Sequence, residues 1–452
     1  MHFNSYEFIF IYLPVVLVSF FWLAKLHRKM ALIALTLASL FFYGWWNSSH
    51  LALLLLSIIC NYLIGSYLCK NRSVWVVTAA LLANVGVLIG YKCLHAFSGI
   101  ILPLGISFFT FTQIAYLVDC YRGQVCDKNF MHYCLFITYF PHLIAGPLLH
   151  HKEIMPQFKS AAMFTIKAKN MAEGIFLFVI GLFKKVILAD ALSFAVAPIF
   201  KAACAQEASI SCAEAFTATA GFSLQLYFDF SGYSDMAVGV SRMFGITLPI
   251  NFNSPYKAVN IADFWRRWHI SLSQYLKEYI YIPLGGNRCG KIRQSLNLLT
   301  TMLLGGMWHG FGWTYAMWGL LHGLFLVVCH MWTAFRQRFF PSLKIPGGRF
   351  FAQAITLCAV CVGWVYFRAD SIVSAHNILS GFFQPLGAFD ELLVMVGAIV
   401  ALFAAVLTLP NSMELAANFK VFRPVGAVIT ALMFVYALIH FHKVSEFLYW
   451  QF

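Results

Sequence analysis

The chain has 452 residues, 61% of them hydrophobic, 17% aromatic and only 11% charged, against roughly 25% charged in an average soluble protein. Even a large soluble domain leaves about a quarter of its unfolded surface exposed, so lipid must be the solvent over much of this surface; a secreted disulfide scaffold, a disordered chain and an ordinary cytosolic enzyme are excluded. The net charge of +14, from 31 Lys and Arg against 17 Asp and Glu, reads in such a chain as basic residues gathered in cytoplasmic loops, and no zinc-finger spacing, RNA-binding motif or basic tail points to nucleic acid.

A helix needs about 20 apolar residues to cross the hydrocarbon. Apolar stretches near that length occur at 8–24, 31–46, 51–68, 74–91, 100–118, 131–149, 174–188 and 215–230, then at 296–307, 313–332, 350–367, 392–409 and 424–441. They predict an all-α polytopic membrane protein with about ten to twelve transmembrane helices. Pro103, Pro141, Gly146, Pro147, Gly305 and Gly306 interrupt several of them. Broken backbone at membrane depth is tolerated only where protein or a watery cavity covers it, which points to a helical body with an internal chamber. Lys25, Arg28, Lys29, Lys70 and Arg72 follow the first and third stretches, while 47–50 carries no Lys or Arg; the amino terminus is expected outside and those basic loops in the cytoplasm. Glu7 precedes the first apolar run and no basic segment opens the chain, so no cleavable leader is expected. The 12 cysteines lie mostly in apolar runs, and Cys358 and Cys361 find no second CxxC to complete a zinc site. Without a repeat or a long linker, one integral domain over 1–452 is expected.

Asp229 stands in the polar stretch 226–236, at the end of an apolar run, with Ser231, Ser234 and Asp235. Asp235 reads as interior polar glue; Asp229 fits glue and active-site positioning equally. Farther on, 252–293 breaks the membrane pattern, with Lys257, Arg266, Arg267, Lys277, Arg288, Lys291 and Arg293 against Asp263 and Glu278. Asn260 is placed to cap a helix. From there Trp265, Trp268, His269, Leu272, Leu276 and Tyr279 recur at three- and four-residue steps, predicting an interfacial helix with His269 on its inward side. The opposite, basic side suits lipid headgroups or an anionic soluble donor. Gly285 and Gly286 form a turn whose backbone amides are candidates to approach phosphates.

His309 lies between two apolar runs, beside Trp308, near Trp313, and among Gly305, Gly306, Gly310 and Gly312. An ionisable residue at membrane depth is expensive and reads by default as functional. Glycines allow a ligand or another backbone to come close. Burial keeps an imidazole neutral, as a general base requires. His322, thirteen residues on, falls roughly 220° around a straight helix and reads as structural. His150, His151 and Glu153 lack the spacing of a metal site, and no metal is expected.

Taken in order, 227–236, the run Asp263-Phe264-Trp265-Arg266-Arg267-Trp268-His269, 281–288, Gly305-Gly306-Met307-Trp308-His309-Gly310 and the aromatic segment 446–452 resemble the membrane-bound O-acyltransferase family, in its bacterial alginate O-acetyltransferase branch. Ala145-Gly146-Pro147, with Glu153 and Pro156-Gln157 after it, is similar to the family's pattern as well. The resemblance implies a ring of membrane helices with interfacial and broken helices around a central tunnel, in a bacterial inner membrane. It implies that His309 is the family's essential histidine and His269 its second, more variable site position. It implies acetyl-CoA as a cytoplasmic donor substrate with no permanently bound cofactor, an extracytoplasmic polysaccharide as destination, and a periplasmic SGNH-type partner. On that reading His309 is the base, and His269 orients it, binds the donor or protonates the leaving thiolate. Trp308 and Trp313 exclude water, Arg266, Arg267, Lys277 and Arg288 draw in the donor, and Trp265 and Asp229 complete the candidate set. Transfer of a D-alanyl or fatty acyl group, or transport, are the alternatives.

Overall fold

The computed structural model describes residues 1–45, 47–125, 127–205, 209–341, 346–387, 389–418, 424–441 and 448, and the regular elements among them are all helices. They are α1 (Glu7–Leu26), α2 (Arg28–Gly44), α3 (Ser48–Asn71), α4 (Val74–Ser98), α5 (Ile106–Tyr121), α6 (Phe130–Thr138), α7 (Ala168–Phe183) and α8 (Asp190–Ala202). Next come α9 (Cys212–Met243), α10 (Ile261–Trp265), α11 (Ile270–Leu276), α12 (Gly290–His309) and α13 (Trp313–Phe339). The series closes with α14 (Gly348–Arg368), α15 (Ile372–Gly381), α16 (Phe389–Thr408) and α17 (Pro424–Ile439), and shorter helical turns join some of them.

Among the described residues, α1, α3, α4, α13 and α14 are long and apolar enough to cross a bilayer. The other expected spans take different forms. Gly105, at φ +67°, delays the start of α5 to Ile106, and the stretch 131–149 divides into α6 and the short helix Phe140–Leu143, which has Pro141 in its first turn. The 32-residue α9 is buried at every position from 217 to 241. That burial explains how a helix so rich in Ser, Thr, Gln and Asp is accommodated in an apolar protein. His442 and most of 446–452 lie outside the described residues.

Where one domain over 1–452 is expected, the chain divides into two compact units, each built from discontinuous pieces. The first takes Met1–Phe183, Gly232–Ile250 and Ala416–Phe452, the second Lys184–Ser231 and Asn251–Leu415, and α9 contributes to both.

In the first unit, side-chain amides join helices where apolar packing alone gives little direction. Ser57 Oγ donates to Gln113 Oε1 at 2.7 Å, and Asn84 Nδ2 donates to Asn61 Oδ1 at 2.8 Å, linking α3, α4 and α5. Helix α7 meets the second half of α9 through two glycine pairs, each seven residues apart on its own helix. A Cβ on Gly181 would lie 2.4 Å from the Gly232 carbonyl oxygen, and one on Gly174 would lie 2.6 Å from that of Gly239. Such approach is possible only without side chains, and the seven-residue step keeps both glycines on one helix face.

The second unit contains every candidate site residue singled out above. Its α12–α13 hairpin is also closed by glycine: a Cβ on Gly306 would meet the Tyr315 carbonyl oxygen at 2.3 Å, and one on Gly319 that of Met302 at 2.5 Å. Of the glycines around His309, Gly306 thus admits a neighbouring backbone, while Gly305 and Gly310 lie against the side chains of Leu276 and Tyr315.

Candidate active site

The predicted interfacial helix begins as expected and then breaks. Asn260 Oδ1 accepts from the Asp263 amide at 2.8 Å and starts α10. Residues 266–269 leave the helix, however, and α11 begins only at Ile270. At the break His269 adopts φ +41°, ψ +56°, a left-handed conformation that costs a non-glycine residue roughly 1–2 kcal/mol. Long-range hydrogen bonds hold it there. The Ile270 amide donates to the Asn251 carbonyl at 3.0 Å and the Asn253 amide to the Arg267 carbonyl at 2.9 Å. Ser271 Oγ donates to Asn251 Oδ1 at 2.6 Å. Strain maintained by surrounding structure is a feature of functional sites. It turns the His269 ring, 1% exposed, edge-on to Phe230 at 4.7 Å. Burial lowers its pKa from 6.5 to about 3, keeping the imidazole neutral at physiological pH.

His309 is the last residue of α12 and 3% exposed. Trp308 (4.7 Å between ring centroids), Phe367 (5.0 Å) and Trp318 (5.3 Å) surround its ring. Trp308 takes the expected place. Trp313 does not: it opens α13 with 82% of its surface exposed and screens little, because the chain turns at 310–312 and brings Trp318 inward instead. A continuous run of ring contacts, through Phe230, Phe252, Trp268, Trp364 and Phe367, joins His269 to His309.

His322 belongs to this cluster, contrary to the straight-helix argument. That argument fails because 310–312 separates two helices. His322 is fully buried against Trp318 at 5.0 Å and Trp265 at 5.2 Å. Among the described residues, both its ring nitrogens and the indole N–H groups of Trp265 and Trp318 meet no hydrogen-bond partner. They are polar groups within an otherwise aromatic wall: each indole is a donor, and a neutral imidazole offers one donor and one acceptor. Gly323, directly after His322, was the available sequence signal: its α-carbon lies against α12, where a Cβ would meet Leu299 at 3.1 Å.

The basic residues divide by surroundings. Arg266, Lys277 and Arg288 are exposed. Arg267 instead ties the break together, its Nε donating to Asp263 Oδ1 at 3.0 Å and its Nη1 to the Asn253 carbonyl at 3.3 Å. The Gly285–Gly286 turn does not present a row of amides for phosphate. The amides of Leu284, Gly285, Gly286 and Arg288 donate to carbonyls within the turn, at 2.9–3.1 Å. Asp229 is 1% exposed and accepts from Lys185 Nζ at 2.7 Å, while the same ammonium bonds Asp190 at 2.8 Å.

These features define an all-helical polytopic membrane protein with three buried histidines in one aromatic cluster. The model of the membrane-bound O-acyltransferase family matches residues 16–367, and the chain belongs to that family: it is a membrane O-acyltransferase. It is 42% identical over 427 residues to the peptidoglycan O-acetyltransferase of Helicobacter pylori, covering 84% of this chain and 79% of that one. It is 36% identical over 408 residues to the probable alginate O-acetylase AlgI of Pseudomonas aeruginosa, covering 85% and 75%. With the teichoic acid D-alanyltransferase of Streptococcus thermophilus it shares 27% identity over 396 residues, covering 84% and 95%. The assignment to an acyltransferase family sets the transport reading aside.

Proposed function

We propose that this enzyme, in the bacterial inner membrane, moves an acetyl group from cytoplasmic acetyl-CoA through a central tunnel to a hydroxyl bound for an extracytoplasmic polysaccharide. The observation that carries this reading is His309, buried at a helix end inside an aromatic wall. Its ring takes the hydroxyl proton as the oxygen attacks the thioester carbonyl. The carbon–sulfur bond then breaks, and the CoA thiolate receives a proton. A positioned base of this kind contributes about 10²–10⁴-fold. The wall of Trp308, Trp318 and Phe367 keeps water from competing as nucleophile, and the indole N–H groups of Trp265 and Trp318 suit the carbonyl oxygen. His269, neutral and held in a strained backbone, orients the donor or supplies the proton to sulfur. Acetyl is favoured over D-alanyl because the relatives named as O-acetyltransferases and O-acetylases share 35–42% identity, against 27–29% for the D-alanyltransferases. A cell-wall or exopolysaccharide glycan is the destination, with a periplasmic SGNH-type partner handing the group on.

The test supplies acetyl-labelled CoA to the purified enzyme in vesicles and follows label onto glycan or partner hydroxyls. His309→Ala is expected to lose transfer by at least about 10² while keeping its insertion and thermal midpoint. Wild-type rates in that variant would remove the proposed base. Transfer from a D-alanyl carrier but not from acetyl-CoA would reassign the acyl group.

A further inference from the structure

We propose that the first unit carries a binding site for an anionic phospholipid, separate from the acyl-transfer site and independent of that reading. An apolar groove of about 1030 Å³ lies between α1, α7 and α17, lined among others by Leu13, Leu17, Ile175, Val179, Ala431 and Phe434. Its α1 wall runs from Ile9 to Lys25, ~24 Å at 1.5 Å per residue, most of the roughly 30 Å of hydrocarbon. Acyl chains in the groove touch apolar side chains of three helices, where a flat helix surface offers one.

The two ends of the groove differ in charge. Lys25 lines one end, and Arg28 and Lys29 follow it at the start of α2. Lys167 and Lys169 lie between the lining residues Ile166 and Met171. The Arg28 guanidinium carbon stands 5.5 Å from the Phe164 ring, which places α2's basic start against the segment leading to Ile166. The rim's carboxylate, Glu173, faces Lys169 at 3.7 Å and Arg242 at 3.8 Å. Lys25, Arg28, Lys29 and Lys167 are exposed, and among the described residues none of them is paired with a carboxylate. An apolar slot with cations at one mouth complements a lipid carrying net negative charge at its phosphate. The basic mouth is also the end that the positive-inside rule assigns to the cytoplasmic leaflet.

The experiment measures thermal midpoints and native-mass-spectrometry occupancy of the full chain with phosphatidylglycerol, with phosphatidylcholine of identical chains, and with inorganic phosphate. Wild type is expected to gain several degrees with phosphatidylglycerol, clearly less with phosphatidylcholine, and nothing with phosphate. The Lys25→Gln/Arg28→Gln/Lys167→Gln variant loses the difference between the lipids. Ala431→Trp, which fills the groove, loses retained lipid. Independently of any variant, phosphatidylglycerol with a photoactivatable acyl chain should label α1, α7 or α17. Equal shifts for both lipids in wild type, stabilisation by phosphate alone, or label confined to other helices would each overturn the proposal.

Discussion

At the scale of single residues, the contact between Lys185 and its two carboxylates places Asp229 in a buried charged group. Lys185 has no exposed surface, and Asp190 and Asp229 are 2% and 1% exposed. The three were taken out of water together, so each depends on the others. Removing the lysine leaves two buried carboxylates uncompensated, and loss of one partner from such a group costs about 3–5 kcal/mol; Lys185→Met is expected to be recovered poorly. Asp229→Asn keeps a hydrogen-bonding oxygen and leaves the Lys185–Asp190 pair. It should lower stability by about 1–3 kcal/mol, measured as a falling thermal midpoint, with turnover per folded molecule unchanged. A fall in kcat at full folding would restore the active-site reading of Asp229. The sequence showed that Asp229 was out of place in an apolar run. It did not show its partner, 44 residues earlier, because residue type records the need for a counter-charge and tertiary packing selects it. Trp313 and Trp318 teach the same lesson: both are apolar and near His309, and only the turn at 310–312 decides which faces inward.

At the scale of elements, glycine spacing governs how closely helices pack. Gly181 and Gly174 on α7 face Gly232 and Gly239 on α9 through carbonyl contacts that any Cβ would enter. Overpacking costs typically 1–3 kcal/mol, occasionally more, and here the clash is with backbone, which cannot move aside as a side chain does. Gly181→Leu is therefore expected to reduce recovery of monodisperse protein and lower the thermal midpoint. Gly86→Leu on α4, where a Cβ meets nothing within 4 Å, should leave both unchanged. Similar losses from the two variants would show that helix propensity, not close approach, sets the effect. Helix existence was legible from apolar run length, and the Asn260 cap from its side-chain chemistry. The break before α11 was not, since Trp265, Trp268, His269 and Leu272 keep a helical rhythm across it. What interrupts that rhythm is Asn251, about twenty residues earlier, whose carbonyl and side chain capture the amide of Ile270 and the hydroxyl of Ser271.

At the scale of the whole molecule, composition alone announced a membrane protein, and the order of its motifs announced its family. The division of labour among its cations emerged only from the fold. Lys257 donates to the Leu409 carbonyl at 2.6 Å and Arg267 braces the His269 break, whereas Arg266, Lys277 and Arg288 remain exposed. Exposed charges act at a distance, raising the local concentration of an anionic donor in a manner that salt screens. With those amides of the Gly285–Gly286 turn engaged internally, these three side chains are, on the function proposed above, among the exposed cations of that stretch that attract a CoA phosphate. Arg266→Gln/Lys277→Gln/Arg288→Gln should accordingly raise the KM for acetyl-CoA several-fold at low ionic strength and leave kcat near wild type. Increasing salt should lower wild-type kcat/KM toward that of the variant, so that the two curves converge. Arg267→Gln should behave differently: by loosening the clamp on His269 it should lower kcat, with little change in salt dependence. If the triple variant instead lost kcat and kept its KM, those three cations would be positioning the chemistry rather than gathering its donor.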